Sequence, residues 1–381
     1  MNAVLSANPG CNPACRVCHY KNFDYAEQLE RKMGWAEEQL GAWKSVLGEI
    51  TPALESERLA YRSKSWLRSH VSEGDVSFGM VRAIRVEGEW EKEFVSWNTC
   101  PLHIPGMQAL IQNLRQALRE QALGFVENDL VGVWVGSPHV VVVSKTPEIE
   151  AARRLDWKKI LTPPFDRVWF HHSPQAGKHV FCHNPIESIF AGESPVPDDG
   201  VHPIRAFRQV AQSLLVEARK QAVAHLLSSK PDRVLDLYCG TGELSLSFPP
   251  ETGWVGIELS SAAVNYANKL SPPGRSVHSA FVGAVEQRLV DPRVLSLVTL
   301  PYSLFVNPPR SGLTGEAQDK VLNLISDKPP TSIAYLSCSA SSLARDLPVL
   351  ENAGYRVDRL QSFDFFPQTE HFETLALLSR K

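Results

Sequence analysis

The pattern of hydrophobic and polar residues changes about halfway along the chain. Over residues 61–193, short segments of alternating apolar and polar residues are separated by turn residues, which is typical of antiparallel strands. The clearest strand pairs are Val131–Val143, interrupted by a Gly-Ser-Pro turn, and Val168–His172 with Lys178–His183. Only Met107–Leu123 has the apolar spacing of a long helix in this part. We therefore predict an antiparallel α+β domain.

After a helical stretch at Phe207–Leu227, short continuous apolar runs alternate with segments of helical spacing. Such alternation predicts a doubly wound α/β sheet whose strands are buried on both faces. The expected strands are Val234–Tyr238, Trp254–Glu258, Ser276–Phe281, Leu304–Val306, Ser332–Leu336, Arg356–Phe363 and Thr374–Leu378. The expected helices between them are Ser260–Leu270, Gly315–Ile325 and Ser342–Asn352.

The N-terminal part of the chain is predicted to form a separate segment. Apolar spacing predicts a helix over Tyr25–Val46, after a short loop that contains three cysteines. A run rich in Pro, Ser and Asp at Glu193–Pro203 is the best candidate for a linker. We expect an N-terminal segment at 1–58, a central domain at 59–195 and an α/β domain at 201–381, which 381 residues can accommodate.

Composition and charge exclude several classes of protein. Hydrophobic residues make up 43% and charged residues 21%, as in ordinary globular proteins. No apolar run approaches the roughly 18–20 residues of a membrane span, and the N-terminus lacks a signal-peptide core, so we expect a cytoplasmic monomer that does not bind membranes. The net charge of −3 requires any nucleic-acid surface to be a local patch. The alternating basic and aromatic residues of Tyr61–Arg68 are either such a patch or a solvated strand face.

Four of the seven cysteines form a pattern of their own. Cys11, Cys15 and Cys18 lie within one compact loop, and Cys100 stands alone before a proline. Three close thiolates and one distant thiolate suit an iron–sulfur cluster or zinc, and the simpler alternative is an N-terminus whose cysteines have no role. The same spacing occurs in radical enzymes that use S-adenosylmethionine (SAM), but their partial barrel disagrees with the doubly wound sheet predicted here.

The α/β domain is organised around a glycine turn. The run Asp236-Leu-Tyr-Cys-Gly-Thr-Gly242 ends a buried strand and leads into apolar spacing that predicts a helix from Leu244. Strand, glycine turn and helix bring the backbone close to a nucleotide-like ligand, and Glu258 at the end of the next strand can accept hydrogen bonds from ribose hydroxyls. The glycine pattern indicates a SAM site more than a dinucleotide site.

Three further polar groups follow strands of the same sheet. Asn307 precedes Pro-Pro-Arg310, Cys338 ends another strand, and Glu373 ends the polar loop that begins at Phe366. The carboxyl ends of parallel strands share one edge of a sheet, so we expect these groups to face one cleft.

The order of these motifs resembles the SAM-dependent RNA (uracil-5-)-methyltransferases, which make 5-methyluridine. The resemblance is carried by Leu235–Gly242, Asn307–Arg310, Ser337-Cys338 with Leu343–Leu347, and Phe363–Glu373. It implies SAM as cofactor, bound by a set of residues that includes the glutamine of a Phe-x-Gln element. That set is Gln209, Tyr238, Gly240, Gly242, Glu258 and Asn307.

The resemblance extends to the cysteines, because the ribosomal-RNA branch of the family holds a [4Fe–4S] cluster. It implies Cys11, Cys15, Cys18 and Cys100 as ligands, although the gap between Cys11 and Cys15 is shorter than is usual in the family. Asn307 is typical of the shorter subgroup without a TRAM domain. The implied substrate is a flipped uridine in 23S ribosomal RNA.

Carbon-5 of uracil is a poor nucleophile, which explains the two catalytic residues that the resemblance implies. Addition of the Cys338 thiolate to carbon-6 would activate carbon-5, and Glu373 would remove the carbon-5 proton afterwards. Cys239, beside the glycine turn, is interpreted as a packing residue. The alternatives are a transfer-RNA uracil-5 methyltransferase, an amine methyltransferase with Asn-Pro-Pro, and a non-catalytic iron–sulfur RNA-binding or redox-sensing protein.

Overall fold

The computed structural model describes residues 4, 8, 10–121, 123–175, 180–182, 184–192, 204 and 212–381. The chain divides into two compact units. The first unit consists of Met1–Asp24 and Ser56–Pro197, and the second unit consists of Tyr25–Glu55 and Asp198–Lys381. Among the described residues, no helix is both long enough and apolar enough to cross a membrane.

The helices, in chain order, are α1 (Tyr25–Leu40), α2 (Pro105–Gln121), α3 (Leu123–Asn128), α4 (Glu150–Arg153), α5 (Trp157–Ile160), α6 (Gln212–Leu227), α7 (Ser261–Lys269), α8 (Val285–Arg288), α9 (Pro292–Leu297), α10 (Gly315–Asp327) and α11 (Ala340–Asn352). The strands are β1 (Lys64–Ser72), β2 (Asp75–Val86), β3 (Glu89–Ser96), β4 (Leu130–Gly136), β5 (His139–Ser144), β6 (Arg167–His172), β7 (Ile186–Ala191), β8 (Arg233–Leu237), β9 (Gly253–Glu258), β10 (His278–Val282), β11 (Tyr302–Val306), β12 (Ser332–Ser337), β13 (Tyr355–Phe363) and β14 (Glu373–Arg380).

The first unit is built on a seven-stranded sheet in the order β3-β2-β1-β4-β5-β6-β7. Neighbouring strands are antiparallel except β5 and β6, which are parallel. Leu67 of β1 and Val133 and Val135 of β4 lie in one core with the apolar residues of α2. The predicted antiparallel α+β domain is therefore confirmed, with one parallel pair that the sequence pattern did not indicate.

One strand of this sheet was predicted in the wrong place. Of Lys178–His183, the described residues 180–182 are not in a strand, and β7 follows at Ile186–Ala191 instead. The reason is a side-chain contact, because the backbone N–H of Cys182 donates to Nε2 of His171 at 3.1 Å. That donor is thus not available to a strand ladder.

The second unit contains a seven-stranded sheet in the order β10-β9-β8-β11-β12-β14-β13. The strands from β10 to β12 are parallel, and β14 is antiparallel to both of its neighbours, β12 and β13. Strand order reverses between β8 and β11, and ligands of open α/β sheets bind beyond the carboxyl ends of the strands at such a point. The predicted doubly wound fold is confirmed. The first residues of the predicted helix Phe207–Leu227 and the predicted linker Glu193–Pro203 lie outside the described residues.

The boundary predicted at residue 58 differs from the division that the structure shows. Residues Tyr25–Glu55 belong to the second unit, because they cover the exposed edge of its sheet. The backbone N–H groups of Gly48 and Thr51 donate to the carbonyls of Leu360 and Ser362, each at 2.9 Å. On α1, Ala36 and Leu40 are fully buried in the core of this sheet. The cysteine loop, in contrast, belongs to the first unit.

Candidate active site and cysteine cluster

The glycine turn after β8 adopts a conformation that needs its glycines. Tyr238, Gly240 and Gly242 all have left-handed backbone, with φ of 61°, 55° and 70°. A Cβ at Gly242 would lie 2.8 Å from the Cβ of Ala267, so only glycine fits there. The helix predicted from Leu244 is only a five-residue 3₁₀ turn, Glu243–Ser247. The segment thus provides a tight backbone loop rather than a long helix.

The carboxylate of Glu258 joins this turn to the end of β9. Its Oε2 accepts the backbone N–H of Gly240 at 3.1 Å, and its Oε1 accepts that of Ser260 at 2.9 Å. Each oxygen keeps a second lone pair for a ligand hydroxyl. Glu258 therefore both fixes the turn and presents an acceptor beside it.

Asp236 supplies a second carboxylate, which is almost completely buried. Trp254 Nε1–H donates to its Oδ2 at 3.1 Å, while Oδ1 has no hydrogen-bond partner. Burial raises the pKa of Asp236 to about 7. A buried carboxylate is costly in its charged form, so a ligand with a positive charge near Asp236 would be favoured.

These groups line a cavity of about 820 Å³ beyond the carboxyl ends of the strands in the second unit. That volume is within the range of small-molecule and cofactor sites. The structure brings most of the predicted site residues to this cavity: Tyr238, Gly240, Glu258, Asn307, Cys338 and Glu373. Gly242 supports the turn by its packing, and Gln209 lies outside the described residues.

Cys338 and Glu373 are brought together by the antiparallel pairing of β12 and β14. Ser337 pairs with Thr374 in the strand register, so the residues just beyond that pair are Cys338 and Glu373. Glu373 is only 5% exposed, and Cys338 is half-buried. Burial, followed by the charge of Glu373, raises the pKa of the Cys338 thiol. A thiol and a carboxylate far apart in sequence thus face the same cavity.

Arg310 acts on the same thiol and was not predicted as a site residue. The positive charge of Arg310 lowers the pKa of the Cys338 thiol, against burial and the charge of Glu373, which raise it. The side chain of Arg310 also lines the cavity. A guanidinium in this position favours the thiolate, which is the reactive form of cysteine.

The loop that carries Arg310 is fastened to α11. Asp346 Oδ2 accepts the backbone N–H of Leu313 at 2.7 Å and the hydroxyl of Tyr335 at 2.6 Å. Ser342 Oγ donates to the carbonyl of Arg310 at 2.6 Å. Asp346 and Ser342 of α11 therefore fix the loop after Asn307-Pro-Pro. These hydrogen bonds could not be predicted from the spacing of the residues in the sequence.

The structure agrees with the interpretation of Cys239 as a packing residue. Its sulfur lies against Gly256, where an added Cβ would approach it to 2.7 Å, and it packs on the second core of the unit. Burial, followed by the charge of Asp236, raises its pKa well above the ordinary value. Within the described part of the chain, no cation lowers the pKa of this thiol as Arg310 lowers that of Cys338.

In the first unit, the predicted cluster residues lie close to one another. The loop of Cys11, Cys15 and Cys18 contacts the segment of Cys100, because Asn12 Nδ2 donates to the Ser96 carbonyl at 3.1 Å. Burial raises the pKa of Cys18 to about 12, and the charges of the other three thiols add to this effect. All four sulfurs thus lie within electrostatic reach of one another.

Two cations flank these thiols. Lys21 Nζ donates to the carbonyls of Pro13 and Cys15, at 2.9 and 2.8 Å, and its charge lowers the pKa of Cys11. The charge of Arg62 lowers the pKa values of Cys18 and Cys100 in the same way. Within the described part of the chain, no three His, Cys, Asp or Glu side chains are placed to bind one metal ion. The four thiols are therefore near one another but not gathered around a single point.

Comparison with known proteins identifies relatives of the whole chain. Residues 288–381 match the family model described as tRNA (Uracil-5-)-methyltransferase. A 23S rRNA (uracil(1939)-C(5))-methyltransferase of Marinomonas sp. is 27% identical over 100% of this chain and 82% of its own length. A 23S rRNA (uracil(747)-C(5))-methyltransferase of Xenorhabdus nematophila is 26% identical over 96% of both chains.

The fold has a counterpart among solved structures. The Pyrococcus abyssi tRNA (uracil-54, C5)-methyltransferase, solved with S-adenosyl-L-homocysteine, superimposes with a TM-score of 0.67 and 19% identity. The match covers 96% of this chain and 85% of that one, and it supports the fold. The sequence matches confirm that this chain is an enzyme and that it is related to the tRNA and rRNA uracil-5-methyltransferase family.

Proposed function

We propose that the protein methylates carbon-5 of a uridine in 23S ribosomal RNA, with SAM as the methyl donor. The observation that carries this proposal is the meeting of Cys338 and Glu373 in one cavity with Asp236 and Glu258. The Marinomonas and Xenorhabdus relatives, which align with nearly the whole chain, are named for 23S rRNA, which favours that substrate. A tRNA substrate is the second candidate, since the matching family model is described for tRNA.

The residues around the glycine turn suit SAM. Glu258 offers acceptors for the ribose hydroxyls, and the backbone of Tyr238–Gly240 brings the turn close to the ligand. In its ionised form, the Asp236 carboxylate contributes a negative charge beside the cavity, which favours the positively charged part of SAM. Asn307 extends this set from the next strand end, and Gln209 stays a prediction. When bound, SAM supplies the electrophilic methyl group.

The chain's own residues would perform the other steps. The Cys338 thiolate adds to carbon-6 of the uracil, which places a pair of electrons on carbon-5 for attack on the methyl group. Glu373 then takes the proton from carbon-5, and the electrons of that C–H bond restore the ring double bond as the thiolate leaves. Arg310 stabilises the thiolate at the start and at the end of this sequence.

Replacement of Glu258 tests the SAM site. Glu258→Ala removes an acceptor for ligand hydroxyls and releases the Gly240 N–H. A hydrogen bond to a charged group contributes ~1.5–3 kcal/mol, so calorimetry should show SAM affinity reduced roughly tenfold or more. Glu251→Ala, at an exposed carboxylate before the same strand, is the matched control. Equal SAM affinities in the two variants would exclude Glu258 from the site.

We further propose that Cys11, Cys15, Cys18 and Cys100 hold a [4Fe–4S] cluster, as in the iron–sulfur branch of the family. In a cubane each thiolate binds a different iron, so the four sulfurs stand farther apart than ligands of one ion. The four thiols interact electrostatically with one another, which supports their sharing one cluster. Lys21 and Arg62 would compensate the negative charge of four thiolates.

Anaerobically purified protein should contain about four irons per chain and absorb broadly in the visible range. Cys100→Ser should lose most of this iron, whereas Cys182→Ser, a change of the same type outside the cluster, should retain it. We expect the Cys100 variant to bind RNA less tightly and SAM normally, since no SAM-site residue lies in the first unit. One zinc per chain and no visible absorption would contradict the iron–sulfur proposal.

The structure also bears on the other candidates. An amine methyltransferase with Asn-Pro-Pro needs an aromatic residue after the prolines to stack on its target. Arg310 occupies that place instead, and its charge acts on the Cys338 thiol. A non-catalytic RNA-binding protein would have no use for a thiol paired with a cation and a carboxylate. The arrangement of Arg310, Cys338 and Glu373 therefore favours covalent catalysis over both.

A further inference from the structure

A buried ion pair connects the N-terminal helix α1 to the loop that precedes Glu373. Lys32 Nζ lies 2.5 Å from Asp364 Oδ1, and both side chains are 0% exposed. The other oxygen of Asp364 accepts the hydroxyl of Tyr25 at 2.7 Å, and Lys32 also donates to the carbonyl of Phe366 at 3.1 Å. All of these residues belong to the second unit. Two residues of α1 thus fix the beginning of the loop.

A second pair of hydrogen bonds fixes the middle of this loop. Gln28 Oε1 accepts the backbone N–H of Gln368 at 2.9 Å, while its Nε2 donates to Gln368 Oε1 at 2.9 Å. Gln368 has a φ of 72°, a left-handed conformation that costs free energy in a residue other than glycine. The two bonds from Gln28 stabilise that conformation, and both side chains are almost fully buried.

The remainder of the loop leads directly to the cavity. Thr369 Oγ1 donates to the Phe366 carbonyl at 2.9 Å and accepts the His371 N–H at 3.2 Å, which closes a tight turn. Phe366 and His371 line the cavity, and Glu373 follows as the first residue of β14. Glu373 also pairs with Phe363 at the end of β13, so the loop that α1 contacts begins and ends beside the Glu373 backbone.

A buried ion pair is a poor explanation of stability alone. The cost of removing two charges from water often exceeds their attraction, and apolar residues of similar size are frequently as stabilising. The pair does specify one arrangement, because any shift of the loop would leave a buried lysine or aspartate without a partner. A pair that specifies a conformation is expected where position, rather than stability, is what the site requires.

We propose that Tyr25, Gln28 and Lys32 are positioning residues for the proton-removal step, which they serve by holding the loop Asp364–His371 so that Glu373 reaches carbon-5. This inference rests on the proposed function. It assigns to α1 an effect on the last chemical step and none on SAM binding. A purely structural role would instead reduce the rates of all steps and the folding stability together.

The test measures methyl transfer and product release separately. Gln28→Ala is incubated with radiolabelled-methyl SAM and a 23S rRNA fragment, and the methylated covalent protein–RNA adduct is quantified under denaturing conditions. A misplacement of about 1 Å can cost roughly a hundredfold in a chemical step, so release should slow about tenfold to a hundredfold while SAM affinity is unchanged. Hydrogen exchange at residues 366–372 should increase in the same variant. Arg31→Met, at a position on α1 where the side chain is 47% exposed, should release product normally.

The outcomes separate this inference from the proposed function. Lys32→Met should show the same slow product release. If that variant does not fold, Gln28→Ala, which leaves the buried ion pair intact, still tests the role of α1. If Glu373→Gln traps its adduct as expected, two results for Gln28→Ala would overturn the role of α1. These are an unchanged rate of product release, or equal losses in the rates of methyl transfer and product release. Failure of Glu373→Gln itself to trap an adduct would overturn the proposed chemistry, and the role of α1 with it.

Discussion

Cys338→Ala should abolish both methylation and the covalent protein–RNA adduct. Without the thiolate, carbon-5 is not activated, and removal of a covalent nucleophile reduces turnover on the order of 10⁴- to 10⁶-fold. The measurement is methyl transfer to a 23S rRNA fragment, with the adduct detected on a denaturing gel. SAM binding should be retained, since the residues proposed for SAM come mainly from β8 and β9.

The cavity contains its own control for this experiment. Cys239 lines the same cavity, but its sulfur packs against Gly256, and among the described residues no cation lowers its pKa. Cys239→Ala should therefore retain the adduct and most of the methyl transfer. Methylation of uridine by Cys338→Ala would show that the addition–elimination scheme is wrong.

The same thiol should give the reaction a characteristic pH dependence. Burial and the charge of Glu373 raise the pKa of Cys338, so the thiol is mainly protonated at neutral pH and its reactive fraction increases as the pH rises. Arg310 opposes this effect, and its loop is held in place by Asp346 and Ser342. The rate of adduct formation should accordingly rise with pH above neutrality. This rise reports the ionisation of the Cys338 thiol, because the adduct forms before Glu373 removes the carbon-5 proton.

Much of the second unit could be predicted from the sequence because its signals are local. Strands buried on both faces are continuous apolar runs, and the left-handed turn of Gly240 and Gly242 requires glycines that are visible in the sequence. Polar residues at strand ends, such as Cys338 and Asn307, then fall on one edge by the geometry of parallel sheets alone.

What the sequence did not indicate depends on contacts between distant segments. The pairing of Lys32 with Asp364 joins residues that no local pattern relates, and burial of a lysine is contrary to its usual exposure. The domain boundary was predicted at residue 58 for the same reason. The sequence of a helix followed by an extended segment does not indicate which sheet the two pack against. In the sequence Arg310 is only a residue after two prolines, and its electrostatic effect on Cys338 depends on the order of the strands in the sheet.

Glu373→Gln should give the opposite kind of defect from loss of the thiol. Addition of the Cys338 thiolate and transfer of the methyl group do not require the Glu373 carboxylate, so both can proceed, whereas removal of the carbon-5 proton cannot. A methylated protein–RNA adduct that survives denaturation should accumulate, and turnover should fall by roughly 10²–10⁴-fold.

Glutamine keeps the size and much of the hydrogen-bonding capacity of glutamate, so the buried position next to β12 should tolerate the change. The substitution also removes a negative charge that raises the pKa of Cys338, so addition in this variant should if anything be easier at neutral pH. Glu370→Gln, at an exposed carboxylate in the preceding loop, should turn over like the unmodified enzyme. Normal turnover of Glu373→Gln would show that another group takes the proton, and an adduct without the methyl group would place the defect before methyl transfer.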